Sequence, residues 1–197
     1  MLLLFYFNMS DILNERKEKL LKFFKVKFEW LQYVVLMVII WIGWAIRAQP
    51  ISKLIDSTTG KYISIELDST LYLRYAEYIA EHGKILVLDT LRYSPLGASV
   101  DITVFSSYFV AYVYRIVHFL GSNATIGLVN NYYPLIAMAI LTIFLFLFVK
   151  RMFEWRVGLL SVLLINVIPS FLFRRMGGST DHDILGMMFM IMSLYFY

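Results

Sequence analysis

The chain has 197 residues, of which 60% are hydrophobic and 17% aromatic, and its formal net charge is +4. This apolar fraction is above that of soluble domains, so the composition excludes an ordinary soluble domain and predicts an all-α polytopic membrane protein. The chain contains no cysteine, which excludes disulfides and thiolate metal sites. A basic run over residues 16–27 precedes the first apolar run. Such a run beside a span indicates a cytoplasmic flank facing anionic lipid, and no nucleic-acid partner is expected.

Four apolar runs, taken in chain order, predict membrane spans joined by two outer loops and one short inner loop. The last run is shorter than the roughly 18 residues that a span needs, so we expect the sequence to stop inside a fourth helix. The predicted segments are a cytoplasmic N-terminus (1–29), span one (30–46), a first outer loop with juxtamembrane helices (47–127), span two (128–149), a cytoplasmic loop (150–156), span three (157–173), a second outer loop (174–183) and the start of span four (184–197).

The segment 101–120 is apolar but contains Arg115 and His118 among tyrosines and serines. Charge inside a span is costly, whereas such a composition suits the membrane interface. The short loop 150–156 carries three basic residues and therefore belongs on the cytoplasmic side. If 101–120 also crossed the membrane, that loop would lie outside. We therefore predict a juxtamembrane helix on the outer face.

The first outer loop has a helical pattern of its own, in the stretch "STLYLRYAEYIAEHGKI". Ser69 or Thr70 is predicted to cap the start of this helix, and Gly83 is predicted to end it. Asp68 lies just before the predicted helix. The face that the spacing predicts consists of Leu71, Tyr75, Tyr78 and Ile79, with His82 as an optional further member.

A Gly-Gly turn is followed by two acids one residue apart, Asp181 and Asp183. In extended chain this spacing points both carboxylates the same way and His182 the opposite way. Hard oxygen ligands of this kind suit magnesium or manganese, especially where a phosphate completes the coordination. The alternative is helix capping, with Ser179, Thr180 or Asp181 at the N-cap of the next span.

Arg174 and Arg175 stand on the predicted outer side, just before these acids. The planar guanidinium grips phosphate oxygens, so acids with a metal and a nearby arginine describe a phosphate site. The alternatives are that the arginines reach lipid headgroups or pair with the acids. Asp68 adds a third acid on the same predicted side, unless it is simply a solvated residue at a helix start.

The stretches "ELDSTLYLRYAEYIAEHG", "RYSPLG" and "RRMGGSTDHD" resemble, in order and spacing, the catalytic subunit of oligosaccharyltransferase, particularly its archaeal versions. The resemblance runs over nearly the whole chain from the first predicted span onward. It implies the N-terminal part of a multi-span glycosyltransferase fold of the GT-C kind. It also implies that Asp68, Asp181 and Asp183 hold one divalent metal, Mn²⁺ or Mg²⁺, with Asp68 as the catalytic aspartate. Arg174, and with weaker support Arg175, would contact the phosphate of the donor.

The implied reaction transfers an oligosaccharide from a polyprenyl (pyro)phosphate carrier to asparagine in N-x-S/T sequons. The implied partners are a lipid-linked oligosaccharide, an acceptor polypeptide and the lipid bilayer, in a multi-pass cell-membrane protein with its site on the outer face. The family's Trp-Trp-Asp motif does not occur in these 197 residues, so they are expected to be inactive alone. The alternatives are another polyprenyl-phosphate-sugar transferase, such as a protein O-mannosyltransferase, or a non-enzymatic transport or assembly subunit.

Overall fold

The computed structural model describes residues 30–100 and 104–197, together with residues 14 and 16–18. The predicted cytoplasmic N-terminus therefore lies outside the described residues except at those few positions, as does the start of the segment 101–120. The described elements are α1 (Leu31–Ala48), a 3₁₀ turn (Ile51–Lys53), α2 (Leu67–His82), β1 (Leu88–Asp89), β2 (Ala98–Ser99), α3 (Phe105–Phe119), α4 (Ile126–Met152), α5 (Trp155–Val167), α6 (Pro169–Phe173) and α7 (Asp183–Phe196).

Contacts at one end of α4 fix the directions of the neighbouring helices. Lys150, near the end of α4, donates a hydrogen bond of 3.0 Å to the hydroxyl of Tyr33, near the start of α1. Arg151 donates to the backbone carbonyl of Tyr195, near the end of α7, at 3.2 Å. Helices α1 and α4 are therefore antiparallel, whereas α4 and α7 run in the same direction.

A buried polar network joins the other end of α1 to α5. Arg47 is only 1% exposed, and its Nη1 donates to Oδ1 of Asn166 and to the carbonyl of Gly43, each at 3.1 Å. The amide of Asn166 in turn donates to the hydroxyl of Thr142 on α4 at 3.1 Å. A buried charge needs such partners, because an unpaired one carries a large desolvation cost. The network therefore fixes where α1 ends relative to α4 and α5.

In the described part of the chain, two helical stretches are long and apolar enough to cross a membrane, Leu31–Lys53 and Ile126–Met152. The other two predicted spans correspond to shorter apolar helices, α5 and α7. With 27 residues, α4 is about 40 Å long at a rise of about 1.5 Å per residue, which exceeds a hydrocarbon core of about 30 Å.

The helix expected over residues 157–173 is interrupted. Helix α5 ends at Val167, Ile168 has an extended ψ of 122°, and Pro169 opens the short helix α6. Proline has no backbone N–H to continue the helix and disfavours helical dihedrals at the residue before it. The apolar pattern predicted one continuous helix because it carries no information on this backbone constraint.

Helices α2 and α3 form a hairpin that packs against the start of α4. The hydroxyl of Ser107 on α3 donates to the carbonyl of Tyr72 on α2 at 2.9 Å, and Arg115 donates to the carbonyl of Ala80 at 2.9 Å. The predicted end of α2 is confirmed, since Gly83 is its left-handed C-cap with φ of 78°.

The predicted start of α2 is wrong. The N-cap is Glu66 and the helix begins at Leu67, so that Ser69 and Thr70 lie inside the first turn. The predicted face is also shifted. Tyr75 and Ile79 are buried as expected, whereas Leu71 and Tyr78 are only half-buried and His82 is exposed. The residues of α2 that are buried are Ser69, Leu73, Tyr75, Ala76 and Ile79.

The main core lies along α4, where α2, α3 and α7 meet it. Among the described residues, this core consists of Ala76, Val110, Val129, Tyr133, Ala137, Met138, Leu141, Ile184, Leu185 and Met188. Helix α4 is thus the element against which the outer hairpin and α7 are both positioned.

Candidate metal and phosphate site

The loop 174–183 is seated on the end of α1 by two glycines. The amide of Gly177 donates to the carbonyl of Arg47 at 2.8 Å. A Cβ at Gly177 would lie 2.4 Å from Cγ1 of Ile51, and one at Gly178 would lie 2.3 Å from Cδ1 of Leu54. Gly178 also has φ of +92°, which side chains rarely adopt. Glycine therefore suits both positions: Gly177 because of the close approach to Ile51, and Gly178 because of both the close approach to Leu54 and its backbone conformation.

A second set of contacts joins this loop to the start of α2. The hydroxyl of Ser179 donates to Oε1 of Glu66 at 2.8 Å, and the amide of Thr180 donates to the hydroxyl of Ser69 at 2.8 Å. Asp68 lies between these two α2 residues. The two acid-bearing segments, 113 residues apart at the first of these contacts, therefore meet in the fold.

Helix α4 supplies a third set of contacts. The hydroxyl of Tyr133 donates to the carbonyl of Asp181 at 2.7 Å. The amide of Asn130 donates to the hydroxyl of Thr180 at 3.1 Å. The backbone that carries the acids is thus held from the core side as well.

Asp181, His182 and Asp183 are the described residues whose ligand atoms converge closely enough to share an ion, all within 4.8 Å of one another. Nδ1 of His182 lies 2.7 Å from Oδ1 of Asp181, and its Nε2 lies 3.6 Å from Oδ1 of Asp183. The prediction that His182 points away from the two carboxylates is wrong. His182 has helical dihedrals (φ −67°, ψ −20°) at the N-cap of α7, so the motif is not the extended chain that the prediction assumed.

The capping alternative does not describe this helix start either. The N-cap of α7 is His182, and no side chain makes a capping hydrogen bond there. Oδ1 of Asp181 accepts from the amide of His182 at 2.7 Å, one residue outside the usual capping register. Asp183 lies in the first turn, where the helix dipole favours an acid.

The two arginines differ in burial and in contacts. Arg175 is 6% exposed, and its Nη2 lies 3.7 Å from Oδ2 of Asp183. Its Nε has no hydrogen-bond partner among the described residues, and its guanidinium lies 5.4 Å from the ring centroid of Phe171. Arg174 is exposed, and its carbonyl accepts from the hydroxyl of Ser179 at 3.2 Å. Arg175, the arginine with the weaker sequence support, is therefore the one that contacts the acids.

Asp68 is exposed in the first turn of α2 and does not belong to the three-residue cluster found among the described residues. A common ion with Asp181 and Asp183 therefore stays a prediction. Two residues that the sequence interpretation left without a role join the site, His182 and Glu66. In the sequence, only their positions could have pointed to them: His182 lies between Asp181 and Asp183, and Glu66 lies two residues before Asp68.

An ion pair between the half-exposed Arg74 and the buried Asp89, which the sequence interpretation missed, ties α2 to the strand β1. Asp89 is 2% exposed and accepts hydrogen bonds from Arg74, from the hydroxyl of Tyr75 at 2.9 Å and from the amide of Leu91 at 3.0 Å. Burial acts to raise the pKa of the Asp89 carboxyl. The hydrogen bonds from Tyr75 and Leu91 and the charges of Arg74 and Arg92 outweigh it and hold this pKa below its ordinary value.

Solved structures of the Archaeoglobus fulgidus oligosaccharyltransferase have the same fold as this chain. The form in complex with Zn and sulfate superposes with a TM-score of 0.66 at 21% identity, covering 82% of this chain and 20% of that one. The apo form gives 0.70 at 19% identity, with 85% and 19% covered. The form named AglB, in complex with an inhibitory peptide and a dolichol-phosphate, gives 0.68 at 19% identity, with 86% and 19% covered.

No curated protein matches the chain. The chain spans about a fifth of the length of the solved relatives, so their complete activity does not transfer to it directly. The family model described as oligosaccharyl transferase STT3, N-terminal, matches residues 32–197, which is most of the sequence. The chain therefore belongs to the oligosaccharyltransferase STT3 family, as its motifs predicted.

Proposed function

We propose that this chain forms the metal- and phosphate-binding half of the active site of a membrane oligosaccharyltransferase. The reaction is transfer of an oligosaccharide from a polyprenyl (pyro)phosphate carrier to asparagine in N-x-S/T sequons. The observation that carries the proposal is the cluster of Asp181, His182 and Asp183 with the buried guanidinium of Arg175 against it. A cation site beside a fixed guanidinium is what an anionic phosphate ligand requires. The Archaeoglobus fulgidus oligosaccharyltransferase was solved in complex with Zn and sulfate in one structure and with an inhibitory peptide and a dolichol-phosphate in another, which supports this choice of ligands.

The donor atoms of the cluster fit a divalent cation. Their separations of up to 4.8 Å are close to the roughly 4 Å between opposite ligands around an ion with bonds of about 2.0–2.2 Å. In the tautomer protonated at Nδ1, His182 donates a hydrogen bond to Asp181. Its unprotonated Nε2, which faces Asp183, is then free to serve as a third metal ligand. Carboxylate oxygens suit both Mg²⁺ and Mn²⁺, and an imidazole nitrogen favours Mn²⁺ of the two. Asp68 is proposed as a further ligand.

Each protein group has a role in the proposed substitution at the anomeric carbon, which proceeds with inversion. A bound cation would act as a Lewis acid that stabilises charge on the departing phosphate. Arg175, and Arg174 from the exposed side, would hold the phosphate oxygens. The asparagine amide is a poor nucleophile because its lone pair is delocalised into the carbonyl. Asp68 would accept a hydrogen bond from this amide while the carbon–nitrogen bond forms and the carbon–oxygen bond to phosphate breaks, and its carboxylate would take up the proton that the amide nitrogen loses.

The arrangement of charge along α4 supports a site on the outer face of a multi-pass membrane protein. The acid cluster contacts Tyr133 near the start of α4, whereas Lys150 and Arg151 lie about 25 Å farther along the helix at a rise of about 1.5 Å per residue. Basic loops stay on the cytoplasmic side, so the opposite end of α4 is assigned to the outside. Helix α3 packs against α2 at that same end. This placement agrees with an outer-face helix rather than an additional span.

The test uses the full-length protein that contains this segment, with Mn²⁺ affinity and oligosaccharide transfer measured on the same preparations. We expect Asp181→Asn and Asp183→Asn to weaken both, and Asp68→Asn to lower transfer while lipid-linked donor still binds. Asp56→Asn is the matched control, because the half-buried Asp56 lies outside the acid cluster and its carboxylate accepts hydrogen bonds within its own turn, from Thr58 and Thr59. Transfer that is independent of divalent cations, or wild-type metal affinity in both cluster variants, would overturn the proposal.

A further inference from the structure

We infer that Asn130 and Tyr133 on α4 are positioning residues that hold the acid cluster in place relative to the start of α2. The inference rests on the proposed function, because it concerns the same site. Both residues are 1% exposed and both donate to the loop 174–183 from the protein interior.

Asn130 bridges the two acid-bearing segments with a single side-chain amide. Its Nδ2 donates to the hydroxyl of Thr180 at 3.1 Å and to the hydroxyl of Ser64 at 3.1 Å. An amide NH₂ has two protons, so both are used. Thr180 immediately precedes Asp181, and Ser64 lies four residues before Asp68. One buried group on a long helix therefore contacts both segments, in addition to the direct hydrogen bonds that join Glu66 and Ser69 to the acid loop.

Tyr133 acts on the same face of α4, one turn farther along. Residues three apart on a helix lie on one side, so Asn130 and Tyr133 face the loop together. The Tyr133 hydroxyl donates to the carbonyl of Asp181 at 2.7 Å. Thr180 is fully buried, so removal of the Asn130 donor leaves the Thr180 hydroxyl without this hydrogen bond rather than exposing it to water. The loop would then shift or widen its range of conformations, and the three ligand atoms would no longer converge.

Asn131 provides a matched control beside Asn130. It is fully buried as well, and its Nδ2 donates to the carbonyl of Ile63 at 3.0 Å, in the same segment that Asn130 contacts through Ser64. Its described hydrogen bond goes to the α2 side and not to the acid loop. Asn130→Ala and Asn131→Ala thus remove equal side chains from equally buried positions. Only Asn130→Ala removes a hydrogen bond to the acid loop, the one to Thr180.

The first experiment measures Mn²⁺ binding to the full-length protein by electron paramagnetic resonance of the free ion. We expect Asn130→Ala to weaken binding about tenfold, the lower end of the range for groups that orient metal ligands, with Asn131→Ala close to wild type. Thr180→Val tests the same bond from the other side without removing the asparagine, in case Asn130→Ala fails to fold. The variant that combines Asn130→Ala and Thr180→Val should bind Mn²⁺ no more weakly than Asn130→Ala alone, because Asn130→Ala already removes the hydrogen bond that Thr180→Val removes. Equal losses in Asn130→Ala and Asn131→Ala, or wild-type affinity in Thr180→Val, would overturn the inference.

The second experiment measures position independently of metal and activity. Spin labels at Thr70→Cys on α2 and Gly186→Cys on α7, in a background without other accessible cysteines, report the distance between the two segments. Thr70 is exposed, and a Cβ at Gly186 meets no atom within 4 Å. We expect the distance distribution to broaden or shift in Asn130→Ala and to stay unchanged in Asn131→Ala. If Asn130→Ala changes the distance distribution but the wild-type protein binds no divalent cation, the proposed function fails while the positioning role stands. An unchanged distribution in Asn130→Ala refutes the positioning role.

Discussion

Replacing Asp89 with asparagine should loosen the β1–β2 hairpin from α2 while keeping the size of the side chain. Oδ2 of Asp89 accepts from Arg74 and from the Tyr75 hydroxyl, and Oδ1 accepts from the Leu91 amide. An asparagine has one acceptor oxygen, so its NH₂ group must face a donor on one side or the other. The orientation that keeps Arg74 and Tyr75 satisfied leaves the Leu91 amide without its acceptor.

The magnitude follows from the number and the kind of bonds lost. One hydrogen bond to a charged group contributes about 1.5–3 kcal/mol, and the remaining bonds fall to roughly half their strength when the carboxylate becomes neutral. Arg74 is 36% exposed, so water screens its ion pair and the loss there is discounted. We expect a total of about 2 kcal/mol, which corresponds to about a thirtyfold increase in the opening equilibrium of the hairpin.

Hydrogen exchange of the segment 84–100, followed by mass spectrometry, measures this opening locally. The exchange of α4 should be unchanged, because Asp89 touches α2 and its own strand rather than the core of the bundle. Asp56→Asn serves as the control for a general effect of charge, since that acid lies in a separate turn and bonds there. Protection of the segment within about threefold of wild type would refute the account of Asp89 as a buried anchor.

Three further predictions concern the site and its supports. Gly178→Ala should lower the free energy of unfolding by about 2–4 kcal/mol, because its Cβ would meet a methyl of Leu54 at 2.3 Å and its φ of +92° is strained for a residue with a side chain. The control Gly186→Ala should leave thermal stability and Mn²⁺ affinity unchanged or slightly improved. Arg175→Gln should raise the KM for the lipid-linked donor about thirtyfold, and Arg174→Gln, at an exposed position, less than tenfold; equal effects would contradict the assignment. The pKa of Asp89 is lower in the folded protein than the unfolded value of about 3.9. The stability that its carboxylate contributes is therefore present above the unfolded value and is lost as the pH falls through the folded pKa. Protection of the hairpin from hydrogen exchange should decrease below about pH 4 in wild type but not in Asp89→Asn.

The features that the sequence predicted correctly are those that depend on local backbone chemistry or on ordered motifs. Gly83 ends α2 in the left-handed conformation that glycine adopts without strain. The Gly-Gly pair before the acids forms a turn that no residue with a Cβ could fit without displacing its neighbours. The motif order identified the family, which the family model confirms. Pro169 carried an equally local signal, and the apolar pattern around it concealed the helix break.

The features that the sequence did not predict depend on partners far along the chain. Ser69 has the side chain of a helix cap, yet its hydroxyl accepts from the amide of Thr180, 111 residues away. His182 was placed opposite the acids by the geometry of extended chain, but tertiary contacts bend the motif into a helical turn before α7. Arg175 is buried against Phe171, whereas Arg174 is exposed, although Arg174 had the stronger support from the sequence. None of these partners can be inferred from local spacing.

Three separate elements hold the acid loop, and this explains how a short motif acquires a defined geometry. The end of α1 holds Gly177 through the carbonyl of Arg47, the start of α2 holds Thr180 through Ser69, and α4 holds Asp181 through Tyr133. Each anchor contacts a different residue of the loop, so no single bond determines where the carboxylates point. Asp68, in contrast, stands on α2 alone and is exposed. Its approach to the cluster therefore depends on how firmly the start of α2 is fixed to the loop, to which the direct bonds from Ser179 to Glu66 and from Thr180 to Ser69 and the Asn130 bridge all contribute.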